Sequence, residues 1–126
     1  MLANKRPIYL NLFKIRLPIT GMVSLAHRAS GVLLFLTIPL AAYLLELSVS
    51  SSEGFDYVIN TLQSPALQLL MLALVWSLAH HLIAGVRFLL IDADIGVEKS
   101  SARTGAWLVV AAELLVIAGF IYGVWL

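Results

Sequence analysis

V32-L-L-F-L-T-I-P-L40 is a nine-residue run in which Thr37 carries the one polar side chain, inside a longer apolar stretch over residues 29–48. A helix on the surface of a soluble domain keeps a polar face, and this run keeps none. Crossing ~30 Å of hydrocarbon takes about 20 residues of helix at ~1.5 Å each, which is the length of the stretch. Two further stretches follow, over residues 66–91 and 104–126, the last with Glu113 as its one charged residue. Their apolar residues are continuous rather than alternating, and a membrane barrel needs about eight strands or more. The expected fold is therefore all-α, an integral membrane protein with three transmembrane helices in a single membrane-anchor domain over residues 1–126. Composition agrees, with 61% hydrophobic and 12% charged residues.

Working outward, residues 1–28 carry Lys5, Arg6, Lys14, Arg16 and Arg28 and read as a cytoplasmic or interfacial segment. That segment has no short apolar core and no small-residue cleavage site, so a cleaved leader is not expected and the first span is a permanent anchor. Lys99 and Arg103 lie in the connection before the third span, with Arg87 near the end of the second. The connection over residues 49–65 has no Lys or Arg and carries Glu53 and Asp56. Positive charge collects on the cytoplasmic side, which puts the N-terminus in the cytoplasm and the C-terminus outside. Trp107 and Trp125 near the ends of the third span suit interfacial aromatics.

The chain has no cysteine, which excludes disulfides, thiol catalysis and an iron–sulfur cluster held by this chain. S48-V-S-S-S-E-G54 reads as a turn-rich opening to the outer connection. Pro39 falls inside the first helix, and G119-F-I-Y-G123 is a small-xxx-small pattern that favours close helix packing.

Polar groups at membrane depth are costly and need a reason. In W76-S-L-A-H-H-L-I-A-G-V-R-F-L-L-I-D92, helical spacing puts Ser77, His81, Ala84, Gly85 and Phe88 on one face, while His80 points elsewhere on the side of Arg87. Gly85, one turn after His81, leaves a flat vacancy that a planar macrocycle with imidazole-bound iron could occupy. The alternative is a pair of neutral histidines bonded to a partner helix or lining a proton path. Adjacent histidines point ~100° apart and cannot supply both axial positions of one iron. His27 is expected at the interface rather than at the depth of His81, so a second ligand is expected from another membrane subunit. Arg87, ~9 Å nearer the cytoplasm than His81, is within reach of a haem propionate or else snorkels to the headgroups.

Just before the opening run stands S24-L-A-H-R-A-S-G31. As a helix it places Ser24, His27, Arg28 and Gly31 on one face at the cytoplasmic edge of the bilayer. A hydroxyl, an imidazole and a guanidinium with room beside Gly31 offer donors to a quinone whose tail lies in lipid. The alternative is a capping serine with basic headgroup anchors.

Together the two segments resemble the large cytochrome b anchor subunit of succinate dehydrogenase, respiratory complex II. One motif is matched by R6-P7-I8, Leu12 and S24-x-x-H27-R28-x-S30-G31, the other by H81-L-I-A-G85-V86-R87 with Asp92. The resemblance implies that His81 is one axial ligand of haem b, with the other histidine donated by a small hydrophobic membrane-anchor subunit. It implies a ubiquinone site containing Ser24, Leu25 and Arg28, and a propionate environment made by His27, Arg28 and Arg87. The implied partners are that small anchor, an iron–sulfur subunit, a flavoprotein subunit and membrane lipid, with no nucleic acid, in a bacterial inner membrane. The chain alone is not expected to oxidise succinate, having no flavin motif. Phe88 stands where some relatives carry a second histidine, Ile91 where an aromatic or Met is common, and Glu113 has no role in the family pattern. Other readings are a haem-free structural anchor, the anchor of a fumarate reductase running in reverse, or a proton-conducting subunit built on His80, His81 and Glu113.

Overall fold

The computed structural model describes residues 15–125, the side chain of Trp125 excepted. The R6-P7-I8 and Leu12 part of the first motif, with Lys5 and Lys14, lies outside the described residues. Four helices follow in order: α1 (Ile19–Ser50), α2 (Ser52–Leu62), α3 (Pro65–Asp92) and α4 (Lys99–Trp125). Of these, α1, α3 and α4 are long and apolar enough to cross a membrane. Helix is what such sequence must form there, because lipid offers no partners to backbone N–H and C=O groups.

The ends of α3 and α4 fall within a few residues of the apolar runs, but α1 starts ten residues before the expected position 29. Its first residue follows Pro18, whose extended backbone makes the chain enter the helix there. This early start puts Ser24, His27 and Arg28 inside the helix rather than at its doorstep. The helix also continues through Pro39, an exposed position.

The outer connection is not a turn-rich loop. A single extended residue, Ser51, ends α1 and caps α2, its hydroxyl accepting a hydrogen bond from the Gly54 N–H at 3.0 Å. Gly54 is required by a close approach, since a Cβ there would lie 2.3 Å from the Leu47 carbonyl oxygen of α1. The cytoplasmic connection opens with a Schellman turn that closes α3. Asp94 takes the left-handed conformation (φ 60°), Ile95 N–H donates to the Leu90 carbonyl at 2.8 Å, and Asp94 N–H donates to that of Ile91 at 3.0 Å.

α1 packs on α3 and α4 around a small core of Val23, Ala84, Ala106 and Val109, flanked by Ile19, Ile83, Phe88 and Val110. Alanines at the contact let the backbones come close, which is how helices pack where lipid is as apolar as leucine. Large side chains such as Phe35, Leu89 and Leu115 face outward. Among the described residues, a Cβ on Gly119 or Gly123 would meet nothing within 4 Å, so the small-residue pattern of α4 is not used in the packing described.

Candidate functional site

α1 and α3 run antiparallel and cross where each carries a glycine, and each glycine receives a histidine of the other helix. A Cβ on Gly31 would stand 2.8 Å from Cε1 of His81, and a Cβ on Gly85 would stand 3.4 Å from Nε2 of His27. The vacancy expected beside Gly85 is therefore filled by the His27 ring, and the room expected beside Gly31 is filled by that of His81. Glycine on one helix lets the facing backbone close in, and the facing imidazole takes the space.

The two rings stack with centroids 4.1 Å apart and planes 6° from parallel. His27 thus lies at the same level as His81 rather than apart from it as expected. The reason is the early start of α1, which sets His27 eight residues into the helix, ~12 Å along its axis. Phe88 closes the far side of the pair, its ring edge-on to His27 at 5.1 Å.

His81 is oriented by its other ring nitrogen. Nδ1–H donates to the His27 carbonyl oxygen at 3.0 Å, the same oxygen that accepts the Ser30 hydroxyl at 2.8 Å, and Ser30 Oγ lies 3.3 Å from Nδ1. A carbonyl can only accept, so Nδ1 carries the hydrogen, and in the neutral ring Nε2 is then the nitrogen with the free lone pair. The ring is half-buried. This is the arrangement in which a histidine binds a metal, with the second nitrogen tied to a carbonyl or carboxylate.

Ser24 and Arg28 come together on the next face of α1. The guanidinium donates through Nε to the Ser24 carbonyl at 3.3 Å and through Nη2 to Ser24 Oγ at 3.4 Å. With Oγ accepting from arginine, the hydroxyl hydrogen of Ser24 is left to donate elsewhere. Leu25 is exposed and lines a shallow apolar hollow of about 450 Å³ with Ile15, Leu17, Met22, Ala26 and Ala29. Arg87 is drawn to α4: it donates to the Ala102 carbonyl at 2.9 Å, lies against Gly105 and stacks 5.4 Å from the Phe88 ring centre.

His80 and Glu113, which the motifs leave without roles, form a buried pair between α3 and α4. His80 Nδ1 hydrogen-bonds Glu113 Oε2, and His80 Nε2–H donates to the Val23 carbonyl of α1 at 3.2 Å. Both residues are buried, and the Trp76 ring covers His80 at 5.5 Å. Two ionisable residues within apolar spans were the visible signal, but their pairing depends on the register between helices, which spacing along one chain does not encode. Ser77 Oγ is buried with no hydrogen-bond partner among the described residues.

Imidazoles packed between membrane helices, on a chain with no soluble domain among its described residues, define a polytopic membrane anchor. Residues 3–120 match the family described as succinate dehydrogenase/fumarate reductase transmembrane subunit, and the chain belongs to that family. It is 32% identical over 123 residues to the succinate dehydrogenase cytochrome b556 subunit of Coxiella burnetii, covering 97% of each chain. It is also 32% identical over 122 residues to the subunit of that name from Paracoccus denitrificans, covering 93% of this chain and 94% of the relative. The counterpart from Rickettsia felis is 27% identical over 112 residues. The chain is a membrane-anchor subunit of succinate dehydrogenase of this cytochrome b type, and a multi-pass protein of the bacterial inner membrane.

Proposed function

We propose that this subunit holds haem b through Nε2 of His81 and forms part of the site where succinate-derived electrons reduce ubiquinone. One observation carries the haem reading: the His81 Nδ1–H is tied to the His27 carbonyl, which leaves Nε2 basic and fixed in direction. The residues present fit the group. Bound haem supplies one-electron chemistry, its potential set by axial ligands and by the hydrogen bonds behind them.

A second histidine to hold the haem would come from outside this chain. Rings stacked face to face at 4.1 Å cannot approach one iron from opposite sides, so His27 does not serve in that geometry. The donor is a histidine of the small hydrophobic membrane-anchor subunit. His27 instead backs the ligand, its carbonyl orienting Nδ1 and its ring lying on the imidazole. Arg28 and Arg87 are the cations available to propionates, with Arg87 held toward the cytoplasmic end by α4.

For the quinone, Ser24 donates its hydroxyl hydrogen to a ring carbonyl, and the Arg28 guanidinium stabilises the negative charge that grows on the oxygens as the ring is reduced. Leu25 and its apolar hollow take part of the ring or the tail. The quinone accepts two electrons and two protons to become quinol. Electrons reach it from the flavoprotein through the iron–sulfur subunit, which docks on the cytoplasmic face beside the start of α1. The test is haem content per assembled complex together with succinate:quinone activity. His81→Ala removes the haem, and Arg28→Ala strongly lowers quinone reduction while succinate oxidation by an artificial acceptor persists. If Arg28→Ala lowers both activities equally with assembly intact, the quinone assignment is wrong.

A further inference from the structure

His80 stands next to His81 on α3, and successive residues of a helix point about 100° apart. Where His81 reaches α1 at Gly31, His80 reaches two helices at once, the Val23 carbonyl of α1 through Nε2–H and the Glu113 carboxyl of α4 through Nδ1. Val23 O can only accept, so Nε2 carries a proton in either arrangement of the pair. The hydrogen between Nδ1 and Oε2 is then shared within one bond. Neither residue contacts the His27–His81 stack through its side chain in any hydrogen bond described above, and neither has a part in the proposed chemistry.

A clasp of this kind fixes the rotation of α3 about its own axis. The far side of an imidazole on a helix lies roughly 6 Å or more from the axis, so a rotation of about 10° moves it by ~1 Å. That displacement is enough to break the 3.0 Å hydrogen bond from His81 Nδ1 to the His27 carbonyl, since such bonds weaken beyond about 3.2 Å. The fully buried core at this depth is small, Val23, Ala84, Ala106 and Val109, so hydrogen bonds share with packing the task of fixing the rotation. Among the described side-chain hydrogen bonds of α3, those of His80 alone tie one residue to both α1 and α4.

We infer that His80 and Glu113 are positioning residues for the haem ligand: their clasp to α1 and α4 sets the plane and direction of the His81 imidazole. The inference rests on His81 being that ligand. Breaking the clasp turns the ring relative to the partner's axial ring, and also weakens the bond at Nδ1 that makes Nε2 basic.

The experiment uses the whole complex in membranes, with Glu113→Leu, which cannot bond His80, beside Glu113→Gln, which can. Two readouts report the ligand rather than the amount of protein. One is the low-spin ferric electron paramagnetic resonance signal, whose highest g value follows the angle between the two axial rings. The other is the haem midpoint potential. Glu113→Leu shifts both, and Glu113→Gln restores the wild-type signal. Wild-type values in haem-loaded Glu113→Leu overturn the proposal, and so do equal shifts in Leu and Gln. Should Glu113→Leu not assemble, Glu113→Ala is read in the same way; if both are lost at assembly while Gln is not, the pair is structural only and the proposal falls. His81→Ala is measured alongside. Haem retained in that variant refutes the ligand itself, whereas haem lost there with unshifted Glu113→Leu refutes the positioning role alone.

Discussion

His27 and His81 lie face to face, 4.1 Å between ring centres and 6° from parallel, although 54 residues separate them along the chain. Each ring rests against the glycine that its own motif does not contain: His81 from the second motif sits on Gly31 of the first, and His27 from the first sits on Gly85 of the second. The two motifs are thus one interlocked structure. The glycines serve the opposite helix, and the histidines come to a common depth because the glycines let α1 and α3 approach.

That interlock predicts an asymmetry between the glycines. A methyl on Gly31 would stand 2.8 Å from the His81 ring, closer than nonbonded atoms tolerate, and the ring is pinned by its bond to the His27 carbonyl. A methyl on Gly85 would meet His27 Nε2 at 3.4 Å, an ordinary contact. Gly31→Ala should cost about 1–3 kcal/mol of stability and lower haem occupancy, as overpacking does. Gly85→Ala should leave haem content near wild type. Haem per assembled complex, read from the optical spectrum, compares them directly.

A second prediction concerns the donors on the neighbouring face of α1. In the proposed quinone site, each of Ser24→Ala and Arg28→Ala would remove a hydrogen bond to the quinone; one to a charged group contributes about 1.5–3 kcal/mol. Quinone reduction should fall about 10- to 100-fold in Arg28→Ala and less in Ser24→Ala. Steady-state assays with quinone and with an artificial acceptor measure this, the artificial acceptor rate staying within about twofold of wild type.

On the outer side, Gly54→Ala places a methyl 2.3 Å from a backbone oxygen of α1, which has no rotamer by which to move away. It should detach α2 from α1 and lower thermal stability by about 1–3 kcal/mol, leaving the haem spectrum unchanged because α2 lies at the opposite end of the bundle from His81. Differential scanning fluorimetry of the purified complex gives the first quantity, and its visible spectrum the second.

Much of the fold was legible because lipid imposes one solution on a long apolar run, and the three spans needed only their length. The start of α1 was not, because Ser24, His27 and Arg28 break the apolar run while the helix continues back to Ile19, just after Pro18. α2 had a signal that the serines obscured: Phe55, Val58, Ile59 and Leu62 follow i, i+3, i+4, i+7 behind a capping Ser51. At the site, His81, His27, Ser24 and Arg28 could be singled out as residue types, and Ser24 with Arg28 could be paired by their four-residue spacing. What the glycines are for, and the bond between His80 and Glu113, depend on how helices are set against one another. A single sequence carries that only as two polar residues that each need a partner.

In the proposed haem site His81 binds iron and His27 supports it without binding. The reduced-minus-oxidised optical spectrum of the assembled complex, recorded for His81→Ala and His27→Ala side by side, tests it most directly. The b-type band is expected to disappear in His81→Ala and to persist in His27→Ala, displaced or reduced because the carbonyl of residue 27 still holds Nδ1 while the stacked ring is gone. A band that survives His81→Ala, or one abolished by His27→Ala in a fully assembled complex, would contradict it.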